Sequence, residues 1–308
     1  MRRGPFSGYA DLWFKDESSN PTGSFKARGM TTAVSMASLL GAQGVALPTA
    51  GNAGSAAAAY AARAGLPCAV AMPADTPSAI VAECAAYGAN VVLLRGLIND
   101  CGRFISQVAH ERGWLDLSTL KEPYRVEGKK TMGYELAEDF GWELPDAILY
   151  PTGGGTGLVG MWKAFAELAA MGFVGSKRPR MYAVQAEGCA PIVKAFLEGK
   201  DDAPLWEGAT THAHGLRVPK ALGDFLILED IYASGGEAVA ASDAELMRAC
   251  ADLARLEGML AAPESGAGLA AIQKLVRAGT IGRDDIVVLF STGSGYKYLE
   301  AWQSAIAQ

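Results

Sequence analysis

Short apolar segments alternate with longer helical segments along most of the chain. Several of the short segments are apolar without a break, as in AVAM at 69–72, VVLL at 91–94 and IVVLF at 286–290. Uninterrupted apolar strands are typical of sheets that are covered on both faces. Strands that alternate with helices form βαβ units, so the pattern predicts an α/β fold with mostly parallel sheets.

The same pattern predicts the individual elements and the division of the chain. The predicted strands are Leu12–Lys15, Gly44–Leu47, Cys68–Met72, Asn90–Leu94, Ala147–Tyr150, Arg180–Gln185 and Ile286–Phe290. The predicted helices are Phe25–Leu40, Ser55–Ala64, Ser78–Tyr87, Asp100–Arg112, Lys130–Phe140, Thr156–Met171, Asp243–Glu257, Ser265–Val276 and Tyr296–Ala307. The most regular block predicts a smaller α/β domain inserted at 41–141, within a large domain formed by residues 1–40 plus 142–308.

The composition excludes several classes of protein. Hydrophobic residues make up 50% of the 308 positions and charged residues 19%, which argues against a disordered chain. The net charge of −6 argues against a nucleic-acid-binding protein, which needs a basic surface. No apolar run reaches the roughly 18 residues of a membrane span, and the N-terminal segment lacks the apolar core of a secretion signal. These features predict a cytoplasmic protein without a nucleic-acid or membrane partner.

Cysteine usage agrees with that compartment. The 5 cysteines form an odd set without CxxC spacing. This is not the pattern of a disulfide framework or a zinc site, so we expect reduced, buried thiols and no metal. His212 and His214 could begin a metal site, but no third ligand stands out.

Glycine is enriched, at 37 residues, and gathers where predicted strands turn into helices. One such segment, Asn20–Gly29, begins with the turn signal Asn-Pro-Thr-Gly and continues into a helix that Ser24 can cap. Lys26 falls in the first turn of that helix, where the partial positive charge of the helix N-terminus disfavours an ammonium group. A lysine that loses its proton readily suits an amine that reacts with a carbonyl group. An ordinary surface lysine is the alternative.

Two further glycine loops have backbone that can face an anion. Thr49–Gly54 lies between a predicted strand and a helix of small residues, and Asn52 adds a side-chain amide. Gly153–Gly157 gives a stronger signal, because backbone without side chains can surround a phosphate and Thr156 can add a hydroxyl group. A dinucleotide site is disfavoured, since no acidic residue follows at about 20 residues to hold a ribose. Ordinary strand–helix turns are the alternative.

The fourth loop, Ser291–Gly295, follows the predicted strand Ile286–Phe290 and carries hydroxyl groups that suit a polar ligand. A serine-rich turn with helix caps is the alternative. In open α/β sheets, ligands bind at the carboxyl ends of the strands, where all these loops fall. Pyridoxal phosphate is one ligand that needs a phosphate-binding loop, an activated lysine and a polar contact to its ring.

The chain resembles the fold-type II pyridoxal-phosphate enzymes, the group of the tryptophan synthase β chain, and within it the threonine synthases most. The resemblance runs from about Leu12 to Trp302 and is carried by LWFKDESSNPTGSFKARGM, TAGNAG, RVEGKKTMGYELAEDFGWELPD, PTGGGTGLVGMWKAF, YAVQAEGCAPIV, GLRVPKALGDFLIL and LFSTGSGYKYLE. It implies two three-layer α/β domains with the cofactor, pyridoxal 5′-phosphate, in the cleft between them. It also implies a homodimer.

The resemblance implies roles for particular residues. Lys26 would form the Schiff base with the cofactor and act as the catalytic base. Asn52 would contact the ring hydroxyl group, and Thr292 the pyridine nitrogen. The phosphate would be held by Gly153, Gly154, Gly155, Thr156 and Gly157. The carboxylate of the amino-acid substrate would be bound by Thr49, Ala50, Gly51 and Asn52.

The reaction that the resemblance implies first is a lyase reaction of threonine biosynthesis, in which O-phospho-L-homoserine and water give L-threonine and phosphate. The glycine loop is also compatible with a serine or threonine dehydratase. A diaminopropionate ammonia-lyase or a β-replacement enzyme similar to cysteate synthase remains open as well. A non-catalytic relative that binds the cofactor or an amino acid is a further alternative, against which the intact Lys26 argues.

Overall fold

A computed structural model describes residues 2–3 and 11–306 of the chain. Its strands are β1 Arg2–Arg3, β2 Asp11–Asp16, β3 Val45–Pro48, β4 Cys68–Pro73, β5 Asn90–Leu94, β6 Leu115–Asp116, β7 Ala147–Pro151, β8 Arg180–Ala186, β9 Ala238–Ala241 and β10 Ile286–Ser291. Its helices are α1 Lys26–Leu39, α2 Asn52–Ala64, α3 Ser78–Ala86, α4 Ile98–Arg112, α5 Tyr124–Asp139, α6 Thr156–Ala170, α7 Pro191–Leu197, α8 Asp224–Ser234, α9 Asp243–Glu257, α10 Pro263–Arg277 and α11 Leu299–Ile306. Short 3-10 helices lie at Pro21–Gly23, His214–Leu216 and Gly295–Tyr298.

The chain forms two compact units. The smaller unit is Asn20–Lys129, and the larger unit combines Met1–Ser19 with Lys130–Gln308. The predicted inserted domain at 41–141 differs from this grouping at both ends. Helix α1 groups with the smaller unit because it packs on α2, and the last ten residues of α5 group with the larger unit. The division of the chain into a cofactor-binding domain and an inserted domain stays a prediction.

The larger unit is built on a six-stranded sheet in the order β1-β2-β10-β7-β8-β9. Only the pairing of β1 with β2 is antiparallel among the described strands. Helices α9 and α10 supply part of the core that covers the sheet, through buried side chains such as Leu246 and Ile272 that cluster with Leu149 and Leu289. The strand–helix alternation predicts a parallel sheet, and the structure confirms it.

The smaller unit has a four-stranded parallel sheet in the order β5-β4-β3-β6. Ala46 and Ala71 on the sheet pack against Cys101 and Ile105 of α4. The small alanine side chains of the strands let α4 lie close to the sheet, so the two pack together without large side chains.

The structure also bears on two of the expected absences. All 5 cysteines are buried and free, as expected for reduced thiols. None of the helices in the described part of the chain combines the length and the apolar character that crossing a membrane requires. Most of the N-terminal residues that we predicted to lack a secretion signal lie outside the described residues, as does the last residue of the helix predicted at Tyr296–Ala307.

Candidate active site

The loop predicted to bind phosphate connects β7 to α6 in the larger unit. Gly155 is the N-cap of α6 and has a left-handed φ of +73°, a conformation that side chains with a Cβ rarely adopt. Within α6, whose residues are all described, the first turn contains no acidic side chain, and the Gly155 cap provides no side-chain bond. The first backbone N–H groups of the helix therefore keep the partial positive charge that attracts an anion.

Close packing requires glycine in this loop. A Cβ on Gly153 would lie 2.3 Å from the carbonyl oxygen of Gly215, and one on Gly155 would lie 2.1 Å from Cδ1 of Ile227. A Cβ on Gly157 would lie 1.9 Å from the hydroxyl oxygen of Tyr150. At these positions the loop therefore presents backbone alone, which is what a phosphate-binding loop needs.

Thr292 follows β10 and is buried at 5% exposure. Strands β10 and β7 are parallel neighbours, with Leu289 opposite Leu149. The loop that carries Thr292 and the glycine loop therefore leave the same edge of the sheet, as predicted for a ligand site at the carboxyl ends of parallel strands. The contact of Thr292 with a pyridine nitrogen stays a prediction.

Lys26 is the first residue of α1 in the smaller unit, as predicted. Its Nζ lies 4.3 Å from the centre of the Phe25 ring. The predicted cap is wrong, because the N-cap is Phe25 and the buried Oγ of Ser24 makes no hydrogen bond to the described residues. Ser24 has extended backbone and ends the preceding 3-10 helix, so its side chain is one position too early to reach the first turn of α1.

The loop at the end of β3 forms a small hydrogen-bonded turn. The Thr49 hydroxyl group donates to the Gly51 carbonyl at 2.9 Å and accepts from the Gly51 N–H at 3.0 Å. Asn52 is the first residue of α2, and Ala50 is buried. A Cβ on Gly54 would lie 2.7 Å from Cγ2 of Thr49, so the helix start presses against the turn. The Gly51 N–H that was predicted to meet a carboxylate is thus held by Thr49 in this structure.

A buried charged cluster in the smaller unit was not predicted. Lys129 is 1% exposed, and its Nζ lies 5.4 Å from the centre of the Phe25 ring that Lys26 also contacts. Burial lowers the pKa of Lys129 well below its usual value, and the charges of Arg125 and Lys26 lower it further. Burial raises the pKa of Glu122, against the opposing charges of Arg125 and Lys129. The charge of Lys26 is thus one of the causes that lower the pKa of Lys129, so the two amines lie close enough to interact.

Local signals for this cluster were present but weak. The carboxylate of Glu122 accepts from the Arg125 N–H at 3.0 Å, and Pro123 separates Glu122 from the start of α5 at Tyr124. The segment RVEGKK at 125–130 carries part of the family resemblance but has no local pattern that predicts burial. A run of charges is usually solvated, and nothing local shows that this one is buried.

Several further polar residues have structural explanations. No group of residues suited to hold a metal ion occurs among the described residues, so His212 and His214 form no metal site there. Lys220 pairs with Asp224, and Lys274 lies 3.5 Å from the half-exposed Glu187. Arg217 is buried at 7% exposure in the larger unit.

Comparisons with known proteins agree with these features. The chain matches the family model "Pyridoxal-phosphate dependent enzyme" over residues 4–293. It is 35% identical to a threonine synthase of Methanocaldococcus jannaschii, over 94% of this chain and 71% of the relative. It is 38% identical to a threonine synthase of Methanosarcina acetivorans, over 93% of this chain and 70% of the relative.

Solved structures show the same fold. A threonine deaminase from T.th. superimposes with a TM-score of 0.77 at 25% identity, over 92% of this chain and 87% of the other. Maize serine racemase superimposes with a TM-score of 0.81 at 21% identity, over 97% and 87% of the two chains.

The chain therefore belongs to the family of pyridoxal-phosphate dependent enzymes. Within that family it is a lyase of the threonine-synthase-like kind, with pyridoxal 5′-phosphate as its cofactor and an amino acid as its class of substrate. The residues fit this cofactor. In the larger unit, the glycines at which a Cβ would clash leave bare backbone at a helix N-terminus, which suits a phosphate group. In the smaller unit, Lys26 begins α1, where the helix N-terminus disfavours an ammonium group.

Proposed function

We propose that this chain converts O-phospho-L-homoserine and water to L-threonine and inorganic phosphate. The observation that carries the proposal is the identity of 35% and 38% to two threonine synthases over more than nine-tenths of the chain. The buried charges of the smaller unit agree with a substrate that carries a phosphate group.

Lys26 is the residue proposed to bind the cofactor covalently and to act as the base. When bound, pyridoxal phosphate withdraws electrons from the substrate α-carbon and so acidifies its proton. The Lys26 Nζ would take that proton and return it later in the reaction. A base is effective when its pKa lies near the working pH. Lys26 begins α1, and the partial positive charge of the helix N-terminus favours the neutral amine that this role requires.

The phosphate of the cofactor is assigned to Gly153, Gly154, Gly155, Thr156 and Gly157. Their support is the left-handed Gly155 and the absence of space for side chains at three of the glycines. Asn52 is assigned to the ring hydroxyl group and Thr292 to the pyridine nitrogen. The substrate carboxylate is assigned to Thr49, Ala50, Gly51 and Asn52, with the Gly51 N–H exchanging its bond to Thr49 for one to the substrate.

The charged cluster of Arg125 and Lys129 would attract the phosphate group of the substrate. The Arg125 guanidinium is buried at 3% exposure and stays charged at any working pH. Lys129 is costly to charge in the absence of an anion, and a bound anion nearby would reverse that cost. A doubly charged phosphate ester therefore gains more from this cluster than serine or threonine does.

A panel of substrates tests the reaction. We expect phosphate release from O-phospho-L-homoserine, with threonine as the product, at a rate at least tenfold above ammonia release from serine, threonine or diaminopropionate. Faster ammonia release would instead identify a dehydratase or ammonia-lyase, and replacement of the phosphate of phosphoserine by sulfite would identify a β-replacement enzyme. Bound cofactor with no turnover on any substrate would identify a binding protein.

The attachment of the cofactor has its own test. The purified protein should be yellow, and Lys26→Ala should lose the visible band of the bound cofactor. Lys130→Ala is the matched control, because Lys130 pairs with Glu167 at 3.0 Å in the larger unit. A Lys26→Ala protein that keeps the band unchanged would contradict the assignment.

We also propose that the chain works as a cytoplasmic homodimer. Exposed apolar side chains in the larger unit, among them Leu197 and Phe225, support a contact with a second copy. The 5 buried, free thiols support a reducing compartment. Light scattering should give twice the 32.1 kDa of one chain, and a monomeric mass would contradict the dimer.

A further inference from the structure

Glu264 is a buried acid that the proposed reaction does not use. It lies in the first turn of α10 and is 5% exposed. The N-terminus of a helix favours a carboxylate, which explains how the charge is tolerated there but not why it is buried. Its hydrogen bonds indicate what the buried carboxylate does.

One carboxylate oxygen of Glu264 joins two separate segments. Its Oε1 accepts from the Gly215 N–H at 2.7 Å and from the Tyr298 hydroxyl group at 3.2 Å. Gly215 belongs to the 3-10 helix His214–Leu216, and Tyr298, at 1% exposure, ends the 3-10 helix Gly295–Tyr298. A Cβ on Gly215 would lie 2.7 Å from the same oxygen, so the fit leaves no room for a side chain.

The first of these segments supports the phosphate loop. The carbonyl oxygen of Gly215 lies where a Cβ on Gly153 would be, with only 2.3 Å between them. Gly215 thus donates its N–H to Glu264 and presses its carbonyl group against Gly153. Because these backbone atoms are closely packed, a movement of Gly215 would also displace the phosphate loop at Gly153.

The second segment continues the loop of Thr292. Beyond Thr292, the Gly293 carbonyl accepts from the Ala262 N–H at 3.0 Å, and the Gly295 N–H donates to Leu260 at 2.8 Å. These bonds tie the loop to the residues just before α10. Tyr298 adds the bond to Glu264, so α10 and the residues just before it hold both ends of this loop.

We propose that Glu264 is a positioning residue for the cofactor, which holds the Gly215 backbone against the phosphate loop and Tyr298 behind the loop of Thr292. The inference rests on the proposed role of Gly153–Gly157 as the phosphate site. Glu264 itself does not contact the cofactor in this proposal and acts through Gly215 and Tyr298. Loss of the Gly215 bond should loosen the phosphate loop, whereas loss of the Tyr298 bond should affect the ring contact.

The test compares two ligands that differ only in the phosphate group. The full chain, freed of cofactor, is titrated with pyridoxal 5′-phosphate and with pyridoxal, and the visible absorbance gives both dissociation constants. Glu264→Leu should weaken pyridoxal 5′-phosphate about tenfold more than pyridoxal, as expected for the loss of a charge-assisted hydrogen bond. Glu264→Gln keeps the oxygen that accepts both bonds and should restore the ratio to within about threefold.

Two further variants separate the effect of the Gly215 bond from that of the Tyr298 bond. Gly215→Ala, whose methyl group would displace the Glu264 carboxylate, should weaken pyridoxal 5′-phosphate selectively even if Glu264→Leu fails to fold. Tyr298→Phe should weaken both ligands by similar factors. Equal losses of the two ligands in Glu264→Leu and Gly215→Ala, or no loss, would overturn the proposal alone. A wild-type chain that binds pyridoxal 5′-phosphate no better than pyridoxal would overturn the phosphate-loop assignment and this inference with it.

Discussion

A methyl group on Gly128 would lie 2.3 Å from the carbonyl oxygen of Arg28, so α1 and the start of α5 touch backbone to backbone. Gly29 makes the reciprocal contact, with 2.7 Å between its Cβ position and the Arg125 carbonyl oxygen. This pair of glycines brings the Lys129 side chain against the Phe25 ring. The neighbourhood of Lys26 therefore depends on two residues that have no side chain.

Gly128→Ala tests this contact. The added methyl group would force the helices apart, and we expect a loss of about 1–3 kcal/mol in the free energy of unfolding. Gly102→Ala in α4 is the control, because its Cβ would meet no atom within 4 Å and should stabilise the chain by roughly 0.5–1 kcal/mol. Urea unfolding measures both, and equal effects of the two substitutions would contradict the close contact.

The phosphate loop can be tested through Gly157. Gly157→Ala would place a methyl group on the Tyr150 hydroxyl oxygen and should weaken pyridoxal 5′-phosphate binding at least tenfold. Tyr150→Leu removes both the hydroxyl oxygen and the ring carbon Cζ that the methyl group would meet, so the double variant should recover part of the affinity. Additive losses in the double variant would show that the clash is not the cause.

Asp230 on α8 should make stability depend on pH. Burial raises the pKa of Asp230 to about 8. The folded chain thus holds a proton that the unfolded chain releases near pH 4, so stability falls as the pH rises from about 4 to 8. Asp230→Asn should flatten this fall and stabilise the protein at pH 8 by about 2–4 kcal/mol. Glu229→Gln, on an exposed neighbour, should leave the slope largely intact, and an unchanged slope in Asp230→Asn would contradict the assignment.

Lys129 should have the opposite dependence. Its pKa is lowered by burial and by nearby cations, so the unfolded chain binds a proton that the folded chain resists. The resulting instability is full at low pH and disappears as the pH rises through the unfolded value near 10.4. Lys129→Met should therefore stabilise the chain at pH 7 by about 1–3 kcal/mol and much less at pH 10. Lys130→Met, which breaks an ion pair with Glu167, should destabilise it at pH 7.

Elements with strong local signals could be predicted from the sequence. Helix α9 was predicted with its observed bounds, because Ser242 and Glu245 form a capping box and Gly258 ends the helix with a φ of +65°. The glycine loops after β3, β7 and β10 were predicted for the same reason, since a strand end and a turn signal lie next to each other in the sequence.

Elements without such signals were missed. Helix α8 has an apolar run, FLIL, that hides the helical period, and β6 is two residues long. Helix α5 begins at Tyr124 rather than Lys130, because Gly128 weakened the helical pattern that tertiary contact with α1 restores. The Lys129 cluster could not be predicted, since it forms only when α5 packs on a helix about 100 residues earlier in the sequence.

The pairing of β2 with β10 affects the order in which the two sheets can form during synthesis. Leu12 lies opposite Val287, so one edge of β2 stays unpaired until a strand that lies 275 residues later in the sequence has been made. All strands of the smaller sheet lie between Val45 and Asp116 and can pair long before that. Synthesis therefore favours an order in which the sheet of the smaller unit is complete first, while the sheet that carries the glycine loop is completed later, when β10 has been made.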